Sequence, residues 1–384
     1  MVKFFEQFQH MEQTCLVFEM LDRSLYDLLE QREWEPLPLH EIRPIAKQLL
    51  VALDALKGLG ILHTDIKPDN VMLVNMQDQP LRVKLIDFGC AMTASQAELG
   101  MEIQPCGYRA PEICLGLPFT EAIDVWGVGC ILAFLYLAEN LLHVHCQYQM
   151  MKTLVDVLGQ PGDPLLCAGM YSHLFFIEEE AEDGSSWRLM TAEEFTVANN
   201  MRQKKRDSFL KLPDSLSGLI HIYPELEAIE MEDRVAFVSL LEGLLHLDGD
   251  ERISPVEALQ QPFISMSHLR EDVDSRDYLT TSKTAMRVCP TEDRVHFAAP
   301  DSGYTGSEPS GSMDDVCLLS DVALNSIPTT CSFGFNNICD AVPWGSDDVV
   351  YVTAAATGGR RKLLRRIRRF FSSISSCFRP NVED

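Results

Sequence analysis

The sequence predicts an α+β fold in which a short β-hairpin precedes a large, mainly helical body. Two brief apolar stretches near the start, FFEQF and TCLVFEM, flank the polar QHMEQ, the pattern of paired strands around a turn. Over residues 38–57 the apolar positions Ile42, Ile45, Leu49, Leu53 and Leu56 recur at helical spacing. From about Glu271 the composition turns to Ser, Gly, Asp and Thr, too poor in apolar side chains to offset the entropy of ordering.

Residues 1–21 read as the hairpin and a connector. The helix after it tolerates Pro44 only near its first turn and is closed by Gly58 and Gly60. ILH, VMLV and RVKLI follow as short strands around polar loops, and a mostly helical stretch then runs to about Ser267, broken by the acidic IEEEAEDGSS. The longest apolar run, Val125 to Val144, is interrupted by Glu139 and Asn140 and preceded by Asp124, which predicts a buried core helix rather than a membrane span. The body is thus expected over 22–270, a disordered linker over 271–358 and a basic segment over 359–384, with no internal repeat.

A chain of 384 residues that is 46% hydrophobic can bury a sizeable core. Its formal net charge of -25 repels phosphate, which argues against direct nucleic-acid binding by the body. Twelve cysteines include no Cys-x-x-Cys pair, and no charged-then-apolar leader opens the chain. Together these predict a reducing cytosolic or nuclear compartment. His143, His145 and Cys146 lack the second half of a metal site and read as loop or core residues.

The chemistry concentrates in HTDIKPDN, residues 63–70. Asp65 is followed five positions later by Asn70, then by the strand-like VKLI and Asp87-Phe88-Gly89. YRAPE and DVWGVG come next in order. Any one of these is a common turn or loop; the ordered series matches the protein-kinase set. Phosphoryl transfer needs a positioned acid and metal ions that neutralise phosphate charge. In that template Asp65 orients the substrate hydroxyl, Lys67 neutralises charge on the migrating group, and Asn70 with Asp87 holds Mg²⁺ through hard oxygen ligands.

The chain resembles the homeodomain-interacting protein kinases, close to the dual-specificity tyrosine-regulated kinases. FFEQFQHMEQTCLVFEML, KGLGILHTDIKPDNVMLV, RVKLIDFGCA, YRAPEICLGLPFTEAIDVWGVGC and DERISPVEALQQPFISMSHL carry the resemblance over residues 2 to about 270. It implies a protein-kinase-like fold, mostly the helical large lobe with a remnant of the small-lobe sheet. It also implies ATP and Mg²⁺ as cofactors and serine/threonine protein substrates, transcription regulators among them, in the nucleus, with the cytoplasm as alternative. Phe18 would gate the adenine pocket, Glu19 and Leu21 would offer hinge backbone groups, and Met72 would lie beneath the base. Glu112 would pair with Arg252 to hold the activation segment, and Arg109 implies a preference for Ser/Thr followed by Pro.

Three departures qualify this. Thr64 stands where many kinases carry Arg after the loop histidine, so an activating phosphate has no partner there. Glu102 occupies the position of the resembled kinases' activation-loop tyrosine, six residues before Tyr108. Either Glu102 mimics a phosphate or the constraint has relaxed; Cys106 in place of the expected partner Arg favours relaxation. The glycine-rich loop, strand lysine and helix glutamate of a kinase would all precede Val2, and Lys3 reads as a surface residue rather than a substitute. The chain by itself is therefore expected to have a two-strand sheet with an exposed edge and negligible turnover. The alternative function is a catalytically inactive pseudokinase that acts by binding partners.

At the far end RRKLLRRIRRFF carries seven basic residues without an acid, and Leu363, Leu364, Ile367, Phe370 and Phe371 fall on one helical face. Such a segment suits an anionic membrane surface or calmodulin, with Cys377 beside it as an acylation candidate. DSGYTGS, Asp301 to Ser307, resembles a phosphorylation-dependent degradation signal, although a chance match in a Ser-rich tail is the simpler reading.

Overall fold

The opening strands β1 (Phe4–His10) and β2 (Gln13–Glu19) pair antiparallel from Phe4 opposite Phe18 to His10 opposite Gln13, with a register shift after Phe4. The computed structural model describes residues 1–10, 13–142, 144, 146–181, 184–200, 212–224, 227–270, 276–289 and 349–354. The basic segment 359–384, the 301–307 motif, His143 and His145 lie outside them.

Ser24 starts α1 (Leu25–Gln31) through a reciprocal capping box with Asp27. α2 (Leu39–Gly58) follows the expected apolar face, with Ile42, Ile45, Leu49, Leu53 and Leu56 all buried. Pro44 sits in its second turn rather than its first, where the ring costs a helical hydrogen bond that surrounding packing must offset. Three short strands come next: β3 (Ile61–Leu62), β4 (Val71–Asn75) and β5 (Gln79–Leu85). β4 and β5 form a hairpin, and β3 pairs with β6 (Met92–Thr93).

α3 (Pro111–Leu115) leads to α4 (Ala122–Leu137), in which every residue from Ile123 to Leu137 is buried, as its apolar sequence requires. Among the described residues no helix is long and apolar enough to cross a membrane. Gly127 lets α4 approach the loop after β3, since a Cβ there would lie 2.8 Å from that of Ile66.

The lower body comprises α5 (Gln147–Leu158), α6 (Asp163–Ala168), a hairpin of β7 (Phe176–Ala181) with β8 (Gly184–Leu189), α7 (Ala192–Asn199) and α8 (Ala228–Leu244). α9 (Pro255–Gln260) and α10 (Pro262–Ser265) close it against α2 and α8.

Order extends past the expected boundary at residue 270. α11 (Arg276–Ala285) packs on α2 and buries Leu279, and Arg82 donates to the carbonyl of Val288 at 2.8 Å. These contacts give structure to residues 276–289 at the start of the span expected as linker, most of which lies outside the described residues. β9 (Val349–Ala354) also falls in that span: it pairs parallel with β2 from Thr14 opposite Val349 to Glu19 opposite Ala354. β9 therefore covers the sheet edge expected to be bare, a role its β-branched sequence VVYVTA suits.

The core holds a buried ionic node. Arg43 donates to both carboxylate oxygens of Asp233 at 2.5 Å and to the carbonyl of Phe263 at 2.7 Å. Tyr278 of α11 donates to the same carboxylate at 2.6 Å, and His268 lies 2.8 Å from it. Burial pushes the Asp233 carboxyl up, but the hydrogen bond from His268 and the Arg43 guanidinium outweigh it and hold the group below its usual value.

Candidate active site

The loop between β3 and β4 holds HTDIKPDN, and a single 3₁₀ turn, Pro68–Asn70, folds its end back on its start. Asn70 donates through Nδ2 to the Asp65 carbonyl at 2.9 Å and to its carboxylate Oδ2 at 2.7 Å. Lys67 Nζ lies 3.0 and 2.8 Å from the two oxygens of the same carboxylate. The structure thus brings Asp65, Lys67 and Asn70 into one cluster, with Asp65 and Asn70 buried.

His63 and Asp124 supply the support. The backbone N–H groups of His63 and Thr64 donate to the Asp124 carboxylate at 2.6 and 2.9 Å. Burial drives the Asp124 carboxyl up to about 7, against the downward pull of those two donors. His63 Nδ1 accepts from the N–H of Asp65 at 3.3 Å while Nε2 faces the carbonyl of Ile86 at 3.0 Å. Those partners fix the neutral tautomer with the proton on Nε2, and burial lowers the imidazole pKa to match.

Asp87 enters from the end of β5. Pairing of Val71 with Leu85 and a bond from Ile86 N–H to the Asn70 carbonyl at 3.0 Å bring that end beside the loop. Asp87 adopts a left-handed backbone, φ 60°, and accepts from Gly89 N–H at 3.2 Å. The Phe88 ring meets the His63 ring edge-on at 4.8 Å between centroids.

Thr64 also has positive φ, 63°, which is strained for a β-branched residue. Its N–H is held by Asp124, and its hydroxyl donates to the Cys90 carbonyl at 2.7 Å. Thr64 therefore stitches the loop directly to the segment after Gly89.

Asn70 spends its amide nitrogen on Asp65, which leaves its carbonyl oxygen for a ligand. That oxygen and the Asp87 carboxylate are the hard donors Mg²⁺ prefers, so these residues fit the ion.

Near the end of β2, Phe18 packs edge-on against Phe4 at 5.7 Å between centroids. Leu21 is buried, and Met72 forms an isolated antiparallel bridge with Ser24. Glu19 donates its N–H to the Lys3 carbonyl at 2.9 Å, so a ligand would use its carbonyl. Its carboxylate takes an ion pair from Lys84 and the N–H of Lys3 at 2.7 Å. Sequence reasoning missed the Lys84 link, whose signal is a lone cation within the apolar VKLI.

Downstream, Arg252 grips Glu112 bidentately at 2.6 and 2.9 Å. It also donates to the carbonyls of Ala122 and His246 and lies over the Trp126 ring. Glu102 does find a cation: Arg109 Nη1 donates to its Oε1 at 3.0 Å, and Gln147 Nε2 donates to the same oxygen at 3.1 Å. Tyr108 is buried, and its hydroxyl bonds to Asn140 Oδ1.

Residues 1–264 match the family model described as Protein kinase domain. The chain belongs to the protein kinase family. This kinase domain is 40% identical over 292 residues to homeodomain-interacting protein kinase 2 of Mesocricetus auratus, covering 75% of this chain and 25% of that one. It is 39% identical over 300 residues to homeodomain-interacting protein kinase 1 of Mus musculus, covering 77% and 24%. Homeodomain-interacting protein kinase 4 of Homo sapiens is 36% identical over 299 residues, covering 75% and 48%. The chain thus spans between a quarter and a half of the relatives it matches, and the kinase domain falls in their homeodomain-interacting group. Kinase domains of this family use ATP and Mg²⁺.

Proposed function

We propose that the chain is a serine/threonine protein kinase that transfers the γ-phosphoryl group of ATP to protein hydroxyls, with a preference for Ser/Thr followed by Pro. The observation that carries this reading is the Asp65, Lys67 and Asn70 cluster beside Asp87. Asp65 is the group that orients the substrate hydroxyl and receives its proton. Lys67, held against it, is placed to follow negative charge onto the migrating group. Asn70 and Asp87 are the residues that would hold Mg²⁺, which neutralises the phosphate oxygens when bound. Phe18, Glu19, Leu21 and Met72 would enclose the adenine.

The relatives' names describe kinases that interact with homeodomain proteins. By extension, the substrates include transcription regulators and the working compartment is the nucleus, with the cytoplasm as alternative. Contact of 359–384 with an anionic membrane or calmodulin belongs to the same proposal and rests on its basic, apolar sequence. Flotation of a fusion carrying those residues with anionic vesicles tests the membrane version.

A second reading, a pseudokinase that binds partners without turnover, is favoured by one observation. The strand beside Phe18 and Glu19 is Val349–Ala354, VVYVTA, which contains no lysine to reach a nucleotide phosphate. A thermal shift with Mg·ATP, followed by phosphoryl transfer to Ser-Pro and Thr-Pro peptides, separates the two. Transfer abolished by Asp65→Asn establishes the kinase; absence of transfer in the unaltered protein establishes the binder.

A further inference from the structure

We infer that Glu102 is a permanent counter-ion for Arg109 that orders the activation segment without phosphorylation. The inference rests on the kinase reading for its meaning. Its geometry stands independently. In kinases an activation segment is ordered when an added phosphate pairs with arginine. Here Arg109 already has an anion: Glu102 Oε1 at 3.0 Å, in a contact only 12% and 23% exposed on its two sides.

The same guanidinium ties the backbone between them. Its Nε donates to the carbonyls of Ile103 and Gln104 at 3.0 and 3.2 Å, and Nη2 donates to Gln104 at 3.0 Å. Gln104, at φ 65°, accepts from Ala110 N–H at 2.9 Å and donates to the Ile123 carbonyl at 2.9 Å. Gln147 of α5 donates to the Glu102 carboxylate and anchors it to the body. One carboxylate therefore neutralises the arginine that holds the backbone at 103–104, where the Gln104 side chain ties Ala110 to α4.

Two further observations remove a phosphate from this arrangement. From Gln96 to Glu112 the sequence carries a single hydroxyl, that of Tyr108; Thr93 and Ser95 lie upstream, their hydroxyls bonded to each other rather than to Arg109. Tyr108 is buried and bonded to Asn140, so a modifying enzyme cannot reach it without unpacking the segment. At the catalytic loop, Thr64 provides a neutral hydroxyl to Cys90 where an arginine would receive a phosphate. Glu102 acts through Arg109, so it is a positioning residue.

The test is hydrogen exchange measured by mass spectrometry on the full chain purified from eukaryotic cells, for peptides covering 98–110. Phosphatase treatment should leave their protection unchanged. Glu102→Gln keeps the shape and removes the charge; it should speed exchange of the 104–110 amides about fivefold, with α2 and α8 unaltered. The difference from wild type should shrink in about 1 M salt, which screens the native ion pair. Protection lost on phosphatase treatment overturns the inference, as does unchanged exchange in Glu102→Gln or a difference indifferent to salt. None of these readouts uses phosphoryl transfer, so an inactive domain leaves the result intact.

Discussion

Asn70 holds Asp65 by two hydrogen bonds from one amide nitrogen, to the backbone carbonyl at 2.9 Å and to the carboxylate at 2.7 Å. Asn70→Ala removes both and leaves a buried carbonyl unsatisfied, at a cost of about 1–3 kcal/mol. Asn70→Asp adds repulsion between two carboxylates at the same site. Phosphoryl transfer should fall in both variants, and urea unfolding should show the larger stability loss in Asn70→Asp.

Glu112 and Arg252 test a buried ion pair. Glu112→Ala leaves the Arg252 charge buried, with the carbonyls of Ala122 and His246 and the Trp126 ring but no counter-charge in place of the lost carboxylate. The expected loss is about 3–5 kcal/mol. Glu112→Gln keeps an acceptor and should lose less, and urea midpoints at constant slope measure the difference.

His63 predicts a pH effect on the loop. Its folded pKa lies below the ordinary 6.5, so between the two values the unfolded chain binds more protons than the folded one. Stability should therefore be lost as pH falls below 6.5, and Nδ1 would cease to accept from Asp65 once protonated. Asp124 runs the other way, since a carboxyl raised from 3.8 to about 7 favours the folded state as pH falls through that window. Denaturant melts at pH 5.5 and 7.5 should show a smaller acid loss in His63→Gln than in wild type.

A pair of glycine variants separates packing from chain entropy. Gly127→Ala drives a methyl to 2.8 Å from Ile66 Cβ and should destabilise by about 1–3 kcal/mol. Gly58→Ala, at the end of α2 with nothing within 4 Å, should be neutral or stabilising by up to about 1 kcal/mol. Thermal melts of both check the contrast; equal shifts would refute the close approach of α4 to the loop.

The hairpin, α2, α4 and the meeting of Asp65, Lys67 and Asn70 are legible because their signals are local: a period, an unbroken apolar run, or a motif of fixed spacing. The Glu112 pair with Arg252 was legible through family resemblance. α11 was not, because RDYLTTSKTA is polar and is held by a few anchors, Leu279 in an apolar patch and Tyr278 on Asp233. β9 escaped because its partner strand lies more than 300 positions away, beyond any local pattern. The Glu102 contact is not legible for a subtler reason: the sequence shows Cys106 where a partner Arg is expected, while the folded segment curls far enough for Arg109 to reach the carboxylate.

The ionic node in the core has a consequence for biosynthesis. Arg43 leaves the ribosome 190 residues ahead of Asp233. At about 5–20 residues per second the interval is roughly 10–40 s. Throughout it, the first turns of α2 carry the Arg43 cation without its carboxylate partner, and neither α8 nor α10 is there to cover the helix. The nascent large lobe is therefore expected to depend on chaperones until its last third emerges, and ribosome-stalled chains ending before residue 233 should be far more protease-sensitive than chains released after residue 289.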